Sequence, residues 1–124
     1  LRRDGGEAAK WMSRAADKGV AGAQYYMGQL REMGQPGEVR PDTAAAVRLY
    51  RAAANQGHVP AKNRLGELYF AGRGGVSRDL EEAYLWFSLA ENQDRIDEIS
   101  RRMSRGQLAA ANDRVEAHLA ELVR

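Results

Sequence analysis

The sequence predicts an all-α fold, a solenoid of stacked helix pairs, from an internal repeat and a helical spacing of apolar residues. Asp4 to Gly34 align with Asp42 to Gly72 at a constant offset of 38 positions. A repeat of this length is typical of helical solenoids, in which each unit buries its apolar face on its neighbours. Within the second copy, apolar residues recur at i, i+3, i+4 and i+7, which predicts a helix. These residues are Ala46, Leu49, Tyr50 and Ala53.

Aspartates and glycines mark where the helices begin and end. Asp4, Asp42 and Asp79 each precede a periodic segment, where an aspartate side chain can accept a hydrogen bond from a free backbone N–H. Gly19 and Gly57 follow such segments, at positions where a left-handed residue commonly ends a helix. Seven helices are predicted, over residues 5–18, 21–34, 42–56, 59–72, 79–92, 94–103 and 105–123.

We expect one domain over residues 1–124, divided into a half repeat (4–19), two repeats (20–57 and 58–93) and C-terminal capping helices (94–124). Ser104 and Gln107 have the S-x-x-Q spacing of a capping box, which predicts the start of the last helix. The residues expected to be buried in the capping helices are Ile96, Ile99, Met103, Leu108, Ala111, Val115, Leu119 and Leu122.

Charge and composition narrow the classes of partner. Lys and Arg number 19 against 17 Asp and Glu, and the charges of both signs are interspersed, so nucleic acid is not an expected partner. No apolar run approaches the ~18 residues of a membrane span, so no transmembrane segment is predicted. The chain has no cysteine, which excludes disulfides and thiolate metal sites.

The glycine-rich stretch YFAGRGGVSRD, residues 69–79, is predicted to join two helices rather than to bind a phosphate. A phosphate loop follows a strand and carries the lysine of G-x-x-x-x-G-K-[ST], whereas this stretch follows a helix and has no lysine. Gly72 is expected to end one helix in positive φ, and Gly74 and Gly75 to turn the chain.

We predict no catalytic residue, no cofactor and no metal site, and therefore a protein that is not an enzyme. His58 and His118 are the only histidines, and neither has a second ligand at the spacing of a zinc site. The carboxylate pairs Glu81/Glu82 and Asp97/Glu98 lie at helix positions that point in different directions. A G-x-S-x-G motif and a cysteine nucleophile are both absent from the sequence.

Residues 61–90, AKNRLGELYFAGRGGVSRDLEEAYLWFSLA, closely resemble the Sel-one-like repeat family, a branch of the tetratricopeptide-repeat superfamily. The family pattern A-x(3)-L-G-x-L-Y-x(2)-G-x-G-V-x(2)-D-x(3)-A-x(2)-W-F-x-x-A appears here with one extra glycine beside the loop valine. The first copy matches less well, because Met27 replaces the leucine and Arg31 the tyrosine. The resemblance implies a right-handed α–α superhelix closed by a C-terminal capping helix.

The resemblance also implies a function, as a protein–protein interaction scaffold or adaptor that binds a protein or peptide on its concave face. It favours a bacterial periplasmic or envelope location. A dedicated inhibitor or immunity protein, which blocks a cognate effector, is the alternative. The helix carrying L-G-x-x-Y lines the concave face in this superfamily, although Met33 and Phe70 would serve equally to pack the next helix. The partner-binding residues implied are Tyr25, Gln29, Glu32, Met33, Asn63, Glu67 and Phe70.

Four aromatic residues occupy repeat positions between helices and are predicted to be core: Trp11, Tyr50, Trp86 and Phe87.

The first helix aligns with the second helix of a full repeat, so its apolar face would have a neighbour on one side only. We expect further upstream repeats, a partner or a second copy of the chain to cover that edge, at Trp11 and Met12 above all. Fraying at Gly5 and Gly6, which weaken the helix start, is the competing expectation. The residues of this face are Ala8, Trp11, Met12 and Ala15.

Overall fold

The structure, a computed structural model, describes residues 5–123, and there it consists of α-helices without a strand. The helices are α1 (Gly5–Asp17), α2 (Ala21–Met33), α3 (Thr43–Ala54), α4 (Val59–Ala71), α5 (Leu80–Leu89), α6 (Gln93–Ser100) and α7 (Arg105–Leu122). One isolated antiparallel bridge joins Gln35 to Val39 in the loop after α2. Across the described residues, no helix combines the length and the apolar character needed to cross a bilayer. The all-α prediction and the seven predicted helices are confirmed.

Side chains cap the helix starts where the sequence predicts. Asp42 and Asp79 each accept a hydrogen bond through Oδ1 from the backbone three residues on, at 3.0 Å in both cases. Ser104 and Gln107 form the full capping box, since the Gln107 N–H donates to Ser104 Oγ (3.1 Å) and the Ser104 N–H donates to Gln107 Oε1 (2.8 Å). The third predicted aspartate cap, Asp4, lies outside the described residues.

Three helices end in the same left-handed turn. Gly19 (φ 89°) and Gly57 (φ 92°) take the left-handed position after α1 and α3, as predicted. After α5 that position belongs to Glu91 (φ 59°), and the following N–H, of Asn92, donates to the Phe87 carbonyl at 3.0 Å. A non-glycine residue in this region costs about 1–2 kcal/mol. Helix α5 was predicted to run to residue 92 and ends three residues earlier, because the turn forms at Glu91 without a glycine.

The chain divides into two compact units, Leu1–Ala61 and Lys62–Arg124. In the first unit, α2 packs against both α1 and α3. Its buried apolar residues in the described part are Ala16, Ala23, Ala45, Ala46, Tyr50, Ala53, Ala54 and Ala61. In the second unit, α5 packs against α6 and α7. The core cluster there consists of Ala83, Tyr84, Phe87, Ile99 and Ala111.

A glycine in each unit sets how closely two helices approach. A Cβ added to Gly28 of α2 would lie 2.6 Å from Cε1 of Tyr50 in α3. A Cβ added to Gly66 of α4 would lie 2.7 Å from Cε1 of Phe87 in α5. Tyr50 and Phe87 are both fully buried, so each ring rests directly on the backbone of the preceding helix.

Three residues predicted to be buried are exposed. Trp11 is 63% exposed, because α1 turns its other side, with Ala16, into the unit. Leu119 and Leu122 are 48% and 63% exposed. Helix α7 has 18 residues and α5 only 10, so at 1.5 Å per residue the last turns of α7 extend beyond α5. The core predictions for Tyr50, Trp86 and Phe87 are confirmed, as is the burial of Ile99 and Ala111.

We expect Gly28→Ala to lower the free energy of unfolding by roughly 1–2 kcal/mol. Overpacking of a core at a ring such as that of Tyr50 commonly costs about 1–3 kcal/mol of stability. The higher helix propensity of alanine offsets less than about 1 kcal/mol of that loss. Gly22→Ala, in the same helix, is the matched control because nothing lies within 4 Å of its added Cβ. That control should be neutral or stabilising. Urea unfolding followed by circular dichroism checks both variants, and shifts in the same direction would contradict the packing role of Gly28.

Candidate functional site

Helix α2 carries the first four predicted partner-binding residues, which we call the α2 surface: Tyr25, Gln29, Glu32 and Met33. The ring of Tyr25 lies between two others, with centroid distances of 5.6 Å to Tyr50 and 5.1 Å to His58. The Gln29 amide donates to the Tyr25 hydroxyl at 3.4 Å. Tyr25 is therefore half-buried and held by its neighbours on both α3 and the turn that follows it.

The C-terminal end of the α2 surface is its most accessible part. The Tyr50 hydroxyl donates to Glu32 Oε1 at 2.7 Å, which fixes the Glu32 side chain over α3. Met33 comes next and is 72% exposed. The α2 surface thus combines three side chains in defined positions with one large apolar side chain open to contact.

Helix α4 carries the other three predicted residues, the α4 surface: Asn63, Glu67 and Phe70. Asn63 Oδ1 accepts a hydrogen bond from the Asn92 amide at 2.9 Å. Two nitrogens of the Arg95 guanidinium donate hydrogen bonds to the Glu67 carboxylate, Nε at 2.9 Å and Nη2 at 2.5 Å. Arg95 also donates to Glu98 at 2.6 Å. The hydrogen bond to Glu67 raises the pKa of Arg95 above its ordinary value, although partial burial opposes that rise.

The Phe70 ring is surrounded by arginines. The guanidinium carbons of Arg95, Arg102 and Arg78 lie 5.2, 5.4 and 6.0 Å from the ring centroid, within the range of a cation–π contact. Phe70 is half-buried and packs against the core cluster of the second unit. The α4 surface is therefore a set of paired charges lying over an aromatic ring, rather than an open apolar patch.

The structure brings the members of each surface together, but the two surfaces belong to different compact units. That they form one concave groove stays a prediction. Both histidines lie in aromatic contacts: His58 against Tyr25, and His118 edge-on to Trp86 with ring centroids 6.0 Å apart. Within residues 5–123 no group of three or more His, Cys, Asp or Glu side chains is placed to hold a metal ion.

Sequence reasoning missed a cleft in the first unit, between α1, α2 and the loop that joins α2 to α3. Its cavity volume is about 640 Å³, and its lining includes Lys10, Arg31 and Arg40. The signal available in the sequence was the divergence between the two copies. Arg31 stands where the second copy has Tyr69.

Comparison with known proteins identifies three repeats in the chain. A family model described as Sel1 repeat matches residues 1–20, 21–58 and 59–94. The chain is 33% identical over 84 residues to the chitin synthase regulator SKT5 of Saccharomyces cerevisiae. It is 41% identical over 75 residues to the alginate biosynthesis protein AlgK of Azotobacter vinelandii. These matches cover 65% and 60% of this chain but only 12% and 16% of the two relatives.

A solved structure with the same helical arrangement is that of a protective antigen of uropathogenic Escherichia coli strains, described as displaying an SLR fold. The TM-score is 0.83 at 29% sequence identity. The match covers 91% of this chain and 25% of the antigen. The chain thus corresponds to a quarter or less of the length of each of these proteins.

We expect Arg95→Lys to lower the free energy of unfolding by roughly 1 kcal/mol or less. Lysine cannot donate in parallel to both Glu67 oxygens, and the pair is about one-third exposed, so solvent screens part of its contribution. Arg101→Lys is the matched control, since Arg101 is exposed and no carboxylate pairs with it among the described residues. Urea unfolding at low and high salt measures the free energy of unfolding of both variants. An equal decrease in both would contradict a structural role for the bidentate Arg95–Glu67 pair.

Proposed function

The chain belongs to the Sel1 repeat family, and we propose that it is a protein-interaction scaffold or adaptor that binds a protein or peptide partner through its helical repeats. The observation that carries this proposal is the run of Sel1 matches over residues 1–94, three-quarters of the chain. Two relatives bear the names of a chitin synthase regulator and an alginate biosynthesis protein, which supports an accessory rather than a catalytic role.

The α2 and α4 surfaces are the proposed binding sites. Most of their side chains are already held by partners within their own unit, as Glu32 is by Tyr50 and Glu67 by Arg95. Side chains ordered before binding lose little rotamer freedom when a partner arrives, and this favours affinity. Met33, exposed beside these fixed groups, supplies an apolar side chain of a type that is enriched at the centres of protein interfaces.

Met33 provides the direct test of this proposal. A photo-crosslinking amino acid at position 33, in protein expressed in the source cells, should give a discrete adduct with another protein. The same amino acid at Lys18, which is exposed in the turn after α1, is the control. Once the adduct is identified, Met33→Lys should weaken binding of the purified partner about tenfold, which corresponds to roughly 1.4 kcal/mol. Equal crosslinking at both positions, or an unchanged affinity, would remove the α2 surface as the site.

We also propose that the outer face of α1 contacts a further helix, from additional repeats or from a second copy of the chain. Met12 aligns with Tyr50, which in the second copy is fully buried against the helix that carries Gly28. Met12 is 37% exposed and Trp11 63% exposed. An exposed apolar patch around a tryptophan usually marks a contact surface.

Light scattering and acrylamide quenching test this second proposal. We expect the isolated chain either to associate as its concentration rises or to remain monomeric with Trp11 accessible to quencher. Association should disappear in Trp11→Glu and persist in Arg48→Glu, a charge change at an exposed position of α3. Comparison with Trp11→Phe separates the Trp11 signal from that of buried Trp86. A monomer whose Trp11 is protected from acrylamide would contradict the proposal, because the face would then be closed locally.

A further inference from the structure

The cleft of the first unit has an apolar floor. Met27 and Leu30 of α2 and Val39 of the following loop line it, and all three are half-buried. The cavity volume of about 640 Å³ falls within the range of about 300–1,000 Å³ that is typical of ligand sites. A site of this size accommodates a few side chains of a peptide.

Three cations line the cleft beside this floor, and no carboxylate in the described part of the chain pairs with them. Lys10 of α1, Arg31 of α2 and Arg40 of the loop all line the cleft. Among residues 5–123 none of the three forms an ion pair, whereas Arg95 and Arg114 in the second unit each contact two carboxylates. Glu38 and Asp42 also line the cleft, so three cations face two carboxylates and the net charge of the lining is +1. None of the three cations pairs with either carboxylate, so all three remain able to bind an acidic group.

The equivalent floor positions are buried in the second copy. Leu65 and Leu68 occupy the positions of Met27 and Leu30, and their exposures are 0% and 2%. The second copy also has larger apolar or aromatic residues at two lining positions, with Val47 in place of Ala9 and Tyr69 in place of Arg31. The first copy has a small residue and a cation there, so its apolar floor stays accessible.

We propose that this cleft binds an acidic segment of a partner protein, with an apolar side chain on the floor and flanking carboxylates on Lys10, Arg31 and Arg40. The inference rests on the proposed scaffold function and names the chemistry of the partner. Arginine pairs with carboxylates in a bidentate geometry, which gives both strength and orientation. Glu38 also lines the cleft and can accept a hydrogen bond from a peptide N–H, a donor that a phosphate ion does not have.

The probe is a short fluorescein-labelled peptide of aspartate and glutamate around two leucines, titrated by fluorescence anisotropy. We expect saturable binding that weakens with salt. The double variant Arg31→Gln/Arg40→Gln should weaken it about tenfold, whereas Lys18→Gln/Arg48→Gln, with the same loss of charge outside this cleft, should change it less than about twofold. A peptide with glutamine and asparagine in place of the acids should not bind.

Two further substitutions test whether binding needs access to the apolar floor, and they leave the floor residues themselves unchanged. Ala9→Val and Arg31→Tyr introduce the residues of the second copy and should close the cleft, abolishing peptide binding while the circular dichroism spectrum stays helical. Absence of binding at millimolar peptide, equal loss in the control variant, or binding of phosphatidylserine vesicles in place of the peptide would each overturn the proposal. Crosslinking at Met33 is independent of this titration, so the scaffold role and the acidic-segment site can fail separately.

Discussion

The close approach of two helices at a glycine is the constraint on which each unit depends. Gly28 lets the Tyr50 ring lie on the backbone of α2, and Gly66 lets the Phe87 ring lie on the backbone of α4. A side chain at either glycine would occupy space that a fully buried aromatic ring already fills, and protein interiors are packed too densely to absorb it. The aromatic residue and the glycine therefore act as one packing element, repeated in both copies.

This element also determines which side chains reach the surface. With Tyr50 held against Gly28, its hydroxyl emerges at the edge of α2 and donates to Glu32. In the second unit Phe87 has no hydroxyl. The surface carboxylate there, that of Glu67, is instead held by hydrogen bonds from Arg95 of α6. The same helical arrangement thus carries a tyrosine–carboxylate hydrogen bond in one copy and a bidentate arginine–carboxylate pair in the other, which gives the two proposed binding surfaces different chemistry.

Local signals made most of the fold predictable. The caps at Asp42 and Asp79, the Ser104–Gln107 box and the glycine turns act within a few residues, and the structure places them as expected. Other features depend on groups distant in the chain. Glu67 is paired with an arginine that lies 28 residues further along the chain. Leu119 is exposed because the C-terminal turns of α7 extend beyond the end of α5. A repeat pattern carries no information about either, since it describes one unit and not the length or charge of its neighbours.

The sequence differences between the two copies act in opposite directions on folding stability and on the proposed binding. Replacing tyrosine by Arg31 at a template position adds a charge that no residue of the described chain pairs, and it leaves Met27 and Leu30 less buried than Leu65 and Leu68. Burial of apolar surface contributes about 25 cal/mol per Å², so this arrangement gives up folding free energy. A half-buried apolar floor beside three cations that no carboxylate of residues 5–123 pairs is unfavourable for folding, and it is the arrangement on which the proposed acidic-segment site depends. The less regular of the two copies therefore carries the proposed acidic-segment site, whereas the equivalent apolar residues of the more regular copy, Leu65 and Leu68, are buried and contribute to folding instead.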